Sequence, residues 1–206
     1  MAHYQRQVGL AAAVNAAICA VEAAAGFGGG SLSLIMDSVH NLSDQLALVF
    51  LYLAFLLPQE PSRHFVRAAN LLNSLGLVAM SVVLAYQAFH RLGSPTAIVG
   101  VVPVIAGIAA AAGNLLVAKL LLRPGRTNAA LRLAYLHNVG DVFVSLVPVL
   151  AGILVLVFKQ SFFDPLCALL IAAFFVFSTL REIITSRDDL IWPGRMTCDH
   201  AEAEHP

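Results

Sequence analysis

Charged residues are scarce in this sequence. Lys, Arg, Asp and Glu make up 12% of its 206 residues, whereas soluble domains average about 25%. Hydrophobic residues make up 59%, and several runs of roughly 20 apolar residues are long enough to cross a bilayer as helices. Most of these runs lack the polar face, repeating every 3.6 residues, that a helix of a soluble bundle shows. The composition therefore disfavours a soluble domain and predicts an all-α polytopic membrane protein.

Cysteine is too sparse to build a scaffold or a thiolate site. Cys19, Cys167 and Cys198 are isolated from one another and form no Cys-x-x-Cys pair. The sequence also lacks HExxH and GxSxG, so intramembrane hydrolysis has no support. The glycine-rich stretch 26–30 is not followed by the Lys-Ser/Thr of a phosphate-binding loop. With no basic aromatic surface either, the sequence predicts no enzyme, no prosthetic group and no nucleic-acid partner.

Six apolar segments follow one another, separated by short turns. They run over about 8–25, 32–57, 68–89, 98–122, 129–158 and 163–184. A glycine-rich turn at 26–31 separates the first two, and a polar loop at 58–67 with two prolines separates the next two. The segments predict six transmembrane helices in one domain, residues 1–192, followed by a short disordered tail, residues 193–206.

Lysine and arginine are distributed unequally between the two sides of the predicted bundle. Ten lie on the side of the N-terminus, the loops between spans two and three and between four and five, and the tail: Arg6, Arg63, Arg67, Lys119, Arg123, Arg126, Arg132, Arg181, Arg187 and Arg195. The opposite side has only Arg91 and Lys159. Because loops rich in Lys and Arg stay in the cytoplasm, both termini are predicted to be cytoplasmic.

Two predicted spans contain the same short pattern, His-Asn-x-small-Asp. It reads His40-Asn41-Leu42-Ser43-Asp44 in the second span and His137-Asn138-Val139-Gly140-Asp141 in the fifth. Residues four apart on a helix lie on one face, with Cβ atoms about 5–6 Å apart. Two such helices, brought close by the small residues Ser43 and Gly140, would offer two nitrogens and two oxygens around one point. The pattern predicts a tetrahedral, zinc-type site made by His40, Asp44, His137 and Asp141.

Carboxylates inside a membrane need a cation. An Asp near the bilayer centre costs about 2.5–3.5 kcal/mol on insertion scales, yet Glu22, Asp37, Asp44 and Asp141 all fall within predicted spans. No Lys or Arg lies in a span away from its ends, so the cation must come from outside the chain, which indicates ion transport. Asp37, one turn before His40, is expected beside the site rather than in it. Glu22 stays open between a proton carrier and a helix–helix hydrogen-bond donor.

The chain resembles the cation diffusion facilitator family of metal/proton antiporters over nearly all of its six spans. Residues 30–44, Gly-Ser-Leu-Ser-Leu-Ile-Met-Asp-Ser-Val-His-Asn-Leu-Ser-Asp, resemble the span-two signature of that family, and residues 137–141 are similar to its span-five partner. The resemblance implies that the transport-site ligands are His40, Asp44, His137 and Asp141. Two histidines with two aspartates are typical of the zinc-preferring members.

The chain departs from most members of that family after the last span. They continue into a folded cytoplasmic metal-sensing domain with a dimer interface, whereas only about twenty residues follow here. No such domain is therefore expected, and a homodimer is expected to form through the membrane helices. Cys198, His200 and His205 in the tail are either loose zinc ligands or incidental residues of a solvated acidic segment.

Residues and resemblance together predict a secondary transporter of a prokaryotic inner membrane. It is expected to export Zn²⁺, or next Co²⁺ or Cd²⁺, from the cytoplasm, with the metal as substrate. Protons are expected in exchange, since an empty site would carry about two negative charges through a region of low dielectric constant. Two alternatives stay open: a transporter preferring Mn²⁺ or Fe²⁺, and a membrane metal sensor that binds the ion without moving it.

Overall fold

The computed structural model describes residues 2–54, 59–94, 96–126 and 129–185, and every regular element in them is helical. One short 3₁₀ turn, Pro124–Arg126, joins the fourth and fifth helices. The α-helices are α1 (Ala2–Gly29), α2 (Leu32–Ala54), α3 (Gln59–Gly93), α4 (Val101–Leu122), α5 (Ala129–Val144), α6 (Leu146–Phe158) and α7 (Phe163–Thr185).

The bundle is apolar outside and polar inside. Large hydrophobic side chains such as Phe89, Phe143 and Phe177 are exposed. The buried polar residues include Asn15, Glu22, Asp37, His40, Asn41, Asp44, Asn114, Asn138 and Asp141. Water would disfavour so extensive an apolar surface, whereas lipid accepts it, and helices satisfy their own backbone hydrogen bonds there.

Five stretches of helix in the described residues are long and apolar enough to cross a membrane, and α5 with α6 forms one of them. The remaining helix, α2, has 23 residues but is not among the five, because its middle carries the predicted metal-site residues. It nevertheless lies inside the bundle, in contact with α1, α3 and α7. The prediction of an all-α polytopic membrane protein is confirmed.

Two hydrophobic clusters hold α2 in place. One joins α2 to α3 and α7 through Met36, Leu84 and Phe175. The other joins α1, α4 and α5 and also includes Leu48 of α2. The polar residues in the middle of α2 therefore lie between two apolar contacts, which fix their depth in the bundle.

A tight turn separates α1 from α2. The Ser31 amide donates to the Gly26 carbonyl at 3.0 Å, and Gly30 has a φ of 70°. This is the arrangement in which a glycine in the left-handed conformation ends a helix. The turn predicted at 26–31 is thus confirmed at Gly30 and Ser31 and is wrong over residues 26–29, where α1 continues as a helix.

The predicted fifth span is interrupted. Helix α5 ends at Val144 and α6 begins at Leu146. Ser145 between them keeps a right-handed helical backbone, and its amide donates to the Asp141 carbonyl at 2.9 Å. The two helices form one apolar stretch, Ala134–Phe158, within the predicted span at 129–158. Pro148 explains the break, because it has no N–H to offer the Val144 carbonyl and its ring crowds that carbonyl. Asn114 of α4 supports the break by donating from Nδ2 to the Ser145 hydroxyl at 3.1 Å.

The polar loop predicted at 58–67 is also wrong over residues 59–67. Helix α3 begins at Gln59 and runs for 35 residues, because Pro61 falls in its first turn, where a backbone N–H has no intrahelical partner to lose. At 1.5 Å per residue α3 is about 52 Å long, whereas its apolar stretch is only Ser74–Gly93. The tail at 193–206 lies outside the described residues.

Candidate metal site

The four predicted ligands lie on two helices that run in opposite directions. His40 Nε2 is 3.0 Å from Asp141 Oδ1, and His137 Nε2 is 2.8 Å from Asp44 Oδ1. On each helix the histidine precedes the aspartate, so pairing each histidine with the opposite aspartate requires antiparallel helices. Asp44 is 12 residues from one end of α2 and 10 from the other, or about 18 Å and 15 Å. The site is therefore near the middle of the bundle.

Each carboxylate also reaches the histidine on its own helix. The distance is 3.5 Å from His40 Nε2 to Asp44 Oδ2 and 3.8 Å from His137 Nε2 to Asp141 Oδ2. One ligand atom from each side chain lies within 4.8 Å of all the others. The structure thus brings together all four residues that the sequence selected.

The spacing of these atoms suits a four-coordinate ion. Zinc binds imidazole nitrogen at about 2.0–2.1 Å and carboxylate oxygen at about 2.0–2.2 Å, and a tetrahedron with such bonds has edges of roughly 3.3–3.6 Å. The four nitrogen–oxygen distances run from 2.8 to 3.8 Å and so bracket that edge. Small movements of side chains would complete the tetrahedron.

Histidine nitrogens face the negative charge at the site. Four contacts of 2.8 to 3.8 Å each join one of these two histidines to one of these two carboxylates. Asp44 Oδ2 and Asp141 Oδ2 are buried and have no hydrogen-bond partner. A buried acceptor without a donor costs about 1–3 kcal/mol, and a bound cation or proton would remove that cost.

The two histidines differ in exposure. The side chain of His40 is 6% exposed, whereas that of His137 is 50% exposed. Since His137 precedes Asp141 on α5, the open layer of the site is the one nearer the start of α5. The enclosed layer, made by His40 and Asp141, lies towards the turn between α1 and α2.

The small residue of the second pattern does not serve close helix contact. A side chain at Gly140 would meet no atom within 4 Å, so the expectation that Gly140 lets the two helices approach closely is wrong. The long reach of the histidine and aspartate side chains joins the helices instead.

Glu22 and Asp37 lie outside the group of four. Asn41 donates from Nδ2 to Glu22 Oε2 at 2.6 Å, and Asn15 donates to the Asn41 carbonyl at 2.8 Å. Glu22 therefore links α1 to α2 as an acceptor in this structure. Asp37 is buried, and neither of its carboxylate oxygens has a hydrogen-bond partner.

Two further residues contact α2 in ways that no local pattern in the sequence predicts. Phe175 of α7 lies against the His40 ring, and Asp164 of α7 binds the first turn of α2. Both are more than 130 positions from the residues they contact, so no local pattern indicates either contact.

Residues 8–191 match a family model described as the cation efflux transmembrane domain. A Bacillus subtilis protein named cadmium, cobalt and zinc/H(+)-K(+) antiporter is 32% identical over 162 residues, which cover 74% of this chain and 52% of that protein. The Escherichia coli zinc transporter ZitB is 27% identical over 198 residues, covering 92% of this chain and 63% of ZitB.

A vertebrate protein is similar as well. The Xenopus tropicalis proton-coupled zinc antiporter SLC30A8 is 28% identical over 197 residues, covering 80% of this chain and 52% of that protein. The chain therefore spans between about half and just under two thirds of the length of these curated relatives.

Proposed function

Because the chain belongs to the cation efflux family, the family of the cation diffusion facilitators, we propose that it exports divalent transition-metal ions, zinc first, in exchange for protons. The family predicted from the two His/Asp patterns is confirmed by the match over residues 8–191. Members of this family are transporters, so the prediction that the chain is not an enzyme is confirmed too. Zinc is the substrate in this proposal, and no prosthetic group takes part.

One observation carries the proposal. Two carboxylates and two imidazoles enclose a single point near the middle of the bundle, and two of the carboxylate oxygens have no donor. A divalent ion bound there brings the charge of ion and carboxylates to zero. The empty site has about two negative charges, which a low-dielectric interior disfavours, so protons are the natural replacement for the departing metal.

The choice of metal follows from the donors. Two imidazole nitrogens with two carboxylate oxygens suit zinc and similar transition metals. Mg²⁺ and Ca²⁺ prefer six or more oxygen ligands, which this group of four does not offer. A transporter preferring Mn²⁺ or Fe²⁺ is the second candidate, since the two carboxylates would also serve those ions.

Exposure and charge support the proposed direction of transport. The open side of the site faces the start of α5, where His137 is half exposed. Arg123 and Arg126 immediately precede that helix, so the predicted orientation places its start at the cytoplasmic face. An opening on that side supports uptake of the ion from the cytoplasm. We propose the cytoplasmic membrane of a prokaryote as the location, with both termini inside.

Zinc flux into proteoliposomes separates transport from sensing. The protein is reconstituted with a zinc-sensitive dye inside, and zinc is added outside with a pH gradient imposed. We expect dye response for the wild type and none for Asp44→Asn, which keeps the shape of the side chain but removes an anionic ligand. Leu42→Ala is the control, because Leu42 is on the exposed face of α2 and should transport normally.

Two results would contradict the proposal. Zinc binding by the wild type without flux would make the protein a sensor. Wild-type flux by Asp44→Asn would place the transport site elsewhere. A metal series in the same vesicles decides between zinc and the manganese or iron alternative.

Two assignments on the remaining parts of the chain accompany this proposal. We propose that residues 1–192 belong to the transport domain and that residues 193–206 lie outside it on the cytoplasmic side. The protein is a homodimer joined through its membrane helices in the lipid bilayer. Cysteine pairs placed on exposed positions of the described helices and crosslinked in native membranes would check the dimer.

A further inference from the structure

The imidazole of His40 is oriented in an unusual way. A histidine that binds a metal commonly donates a hydrogen bond from its other ring nitrogen, and this bond fixes the orientation of the ring. His40 directs Nε2 towards Asp141 and Asp44. Its Nδ1 is buried and has no hydrogen-bond partner. Hydrogen bonding at Nδ1 therefore does not set the plane of this ring.

A stacked aromatic ring takes the place of that hydrogen bond. Phe175 of α7 lies nearly parallel to the His40 imidazole, with ring centroids 4.1 Å apart and an angle of 22° between planes. Stacked aromatic rings attract one another beyond the effect of buried area alone. Rotation of the imidazole about its Cβ–Cγ bond would break this contact and move Nε2 away from both carboxylates.

Phe175 is itself held firmly. Its side chain is 2% exposed, and it belongs to the hydrophobic cluster that joins α2, α3 and α7. Met36 and Leu84 are members of the same cluster. Close-packed interiors resist displacement of such a side chain, so Phe175 is a fixed surface against which His40 rests.

We propose that Phe175 is a positioning residue, which holds the His40 imidazole in the plane that the metal site needs and so favours a small tetrahedral ion over a larger one. This inference rests on the proposed function, because it concerns the same site. A ring that is free to turn could follow the longer bonds of Cd²⁺, whereas a stacked ring holds its nitrogen at the distance that suits Zn²⁺. The His40 side chain is 6% exposed and that of His137 is 50% exposed, and the constraint proposed here acts through the buried His40.

The chain offers a matched control one residue away. Phe174 is on the same helix and has the same side chain, but it is 55% exposed. Its ring is tilted against that of Phe175, and the two ring centroids are 5.8 Å apart. Phe174→Met and Phe175→Met make the same chemical change, one on the outer surface and one against His40. Methionine fills the space of the ring without its flat face, which keeps loss of packing small.

Metal binding by the purified, full-length protein tests the inference. Zn²⁺ and Cd²⁺ affinities are measured by competition, and the visible absorption of bound Co²⁺ reports the geometry of the ligands. For Phe175→Met we expect a two- to tenfold loss of zinc affinity, about the range of one aromatic pair, with a smaller loss for cadmium. The Co²⁺ spectrum should change, whereas Phe174→Met should match the wild type throughout.

Phe175→Tyr keeps the ring and should restore both the zinc-to-cadmium ratio and the Co²⁺ spectrum. A residue that served packing alone would lower the yield of folded protein and leave ratio and spectrum unchanged. An unchanged ratio and spectrum in folded Phe175→Met would overturn the inference while leaving the transport site in place. If Phe175→Met does not fold, Phe175→Tyr becomes the test. A zinc-to-cadmium affinity ratio of Phe175→Tyr that is lower than that of the wild type would then overturn the inference as well. Failure of the wild type to bind zinc would instead contradict the proposed function.

Discussion

Asp164, at the start of α7, accepts a 2.6 Å hydrogen bond from the hydroxyl of Ser31, which ends the turn between α1 and α2. The same carboxylate accepts from the Leu32 amide and from the Ser33 hydroxyl, each at 2.6 Å. The first turn of a helix has backbone N–H groups without partners in the helix. A side chain from another helix therefore caps α2 and ties its outer end to α7.

Replacing Asp164 with asparagine should destabilise the bundle. The amide has one acceptor oxygen in place of two, and its NH₂ group would face donors. We expect a loss of about 1–3 kcal/mol in unfolding free energy, measured by thermal or denaturant unfolding in detergent. Zinc affinity of the folded fraction should stay close to the wild type, because none of the four ligands changes. A wild-type unfolding curve for Asp164→Asn would show that the cap contributes no stability.

Removing the two histidines should have unequal effects. His40 is enclosed between Asp141 and Phe175, so His40→Ala leaves a buried gap and should abolish zinc flux. His137 is half exposed, and water can replace its nitrogen. We expect His137→Ala to retain measurable flux at a raised zinc concentration. Flux is measured over a range of zinc concentrations and normalised to the amount of inserted protein. An equal loss of flux in both variants would contradict the expected difference between the two histidines.

Exchanging the enclosed nitrogen for oxygen should change the choice of metal. His40→Asp converts the ligands from two nitrogens and two oxygens to one nitrogen and three oxygens. Harder ions prefer oxygen donors, so the variant should discriminate less against Mn²⁺ than the wild type does. Competition of each divalent ion with zinc for transport into vesicles measures the order of metal preference. An identical order in both proteins would mean that residues other than the four ligands select the metal.

Protons and zinc should compete for the same atoms. A histidine must be neutral and a carboxylate ionised to bind metal, so acid conditions oppose binding. We expect zinc affinity to fall as the pH falls from about 8 to about 6, the range in which histidine ordinarily titrates. Zinc binding in weakly buffered solution should release at least one proton. Zinc affinity independent of pH over this range would argue against proton exchange.

The local spacing of residues was enough to predict which four side chains the structure brings together. His40 and Asp44, like His137 and Asp141, are separated by one turn of helix, and that separation is visible in a short stretch of sequence. The antiparallel pairing of the two stretches also agrees with their places in the second and fifth spans. Contacts between distant segments had no such signal. The stack of Phe175 on His40 and the cap of Asp164 on α2 depend on how α7 packs.

Proline affects two of the predicted segments differently. The sequence predicts a polar loop with two prolines at 58–67, yet Pro61 lies in the first turn of α3, where a proline is tolerated. Pro148 lies inside the predicted fifth span, where it accompanies the interruption at Ser145. Position within a helix decides between these outcomes, and the first turn is hard to locate from sequence alone.

The interruption at Ser145 lies one turn beyond Asp141. Pro148 leaves the Val144 carbonyl without its helical donor, and helices bend most readily at a proline. The weakest point of the fifth span therefore falls just outside the turn that carries His137 and Asp141. A bend there would leave the spacing of those two side chains unchanged.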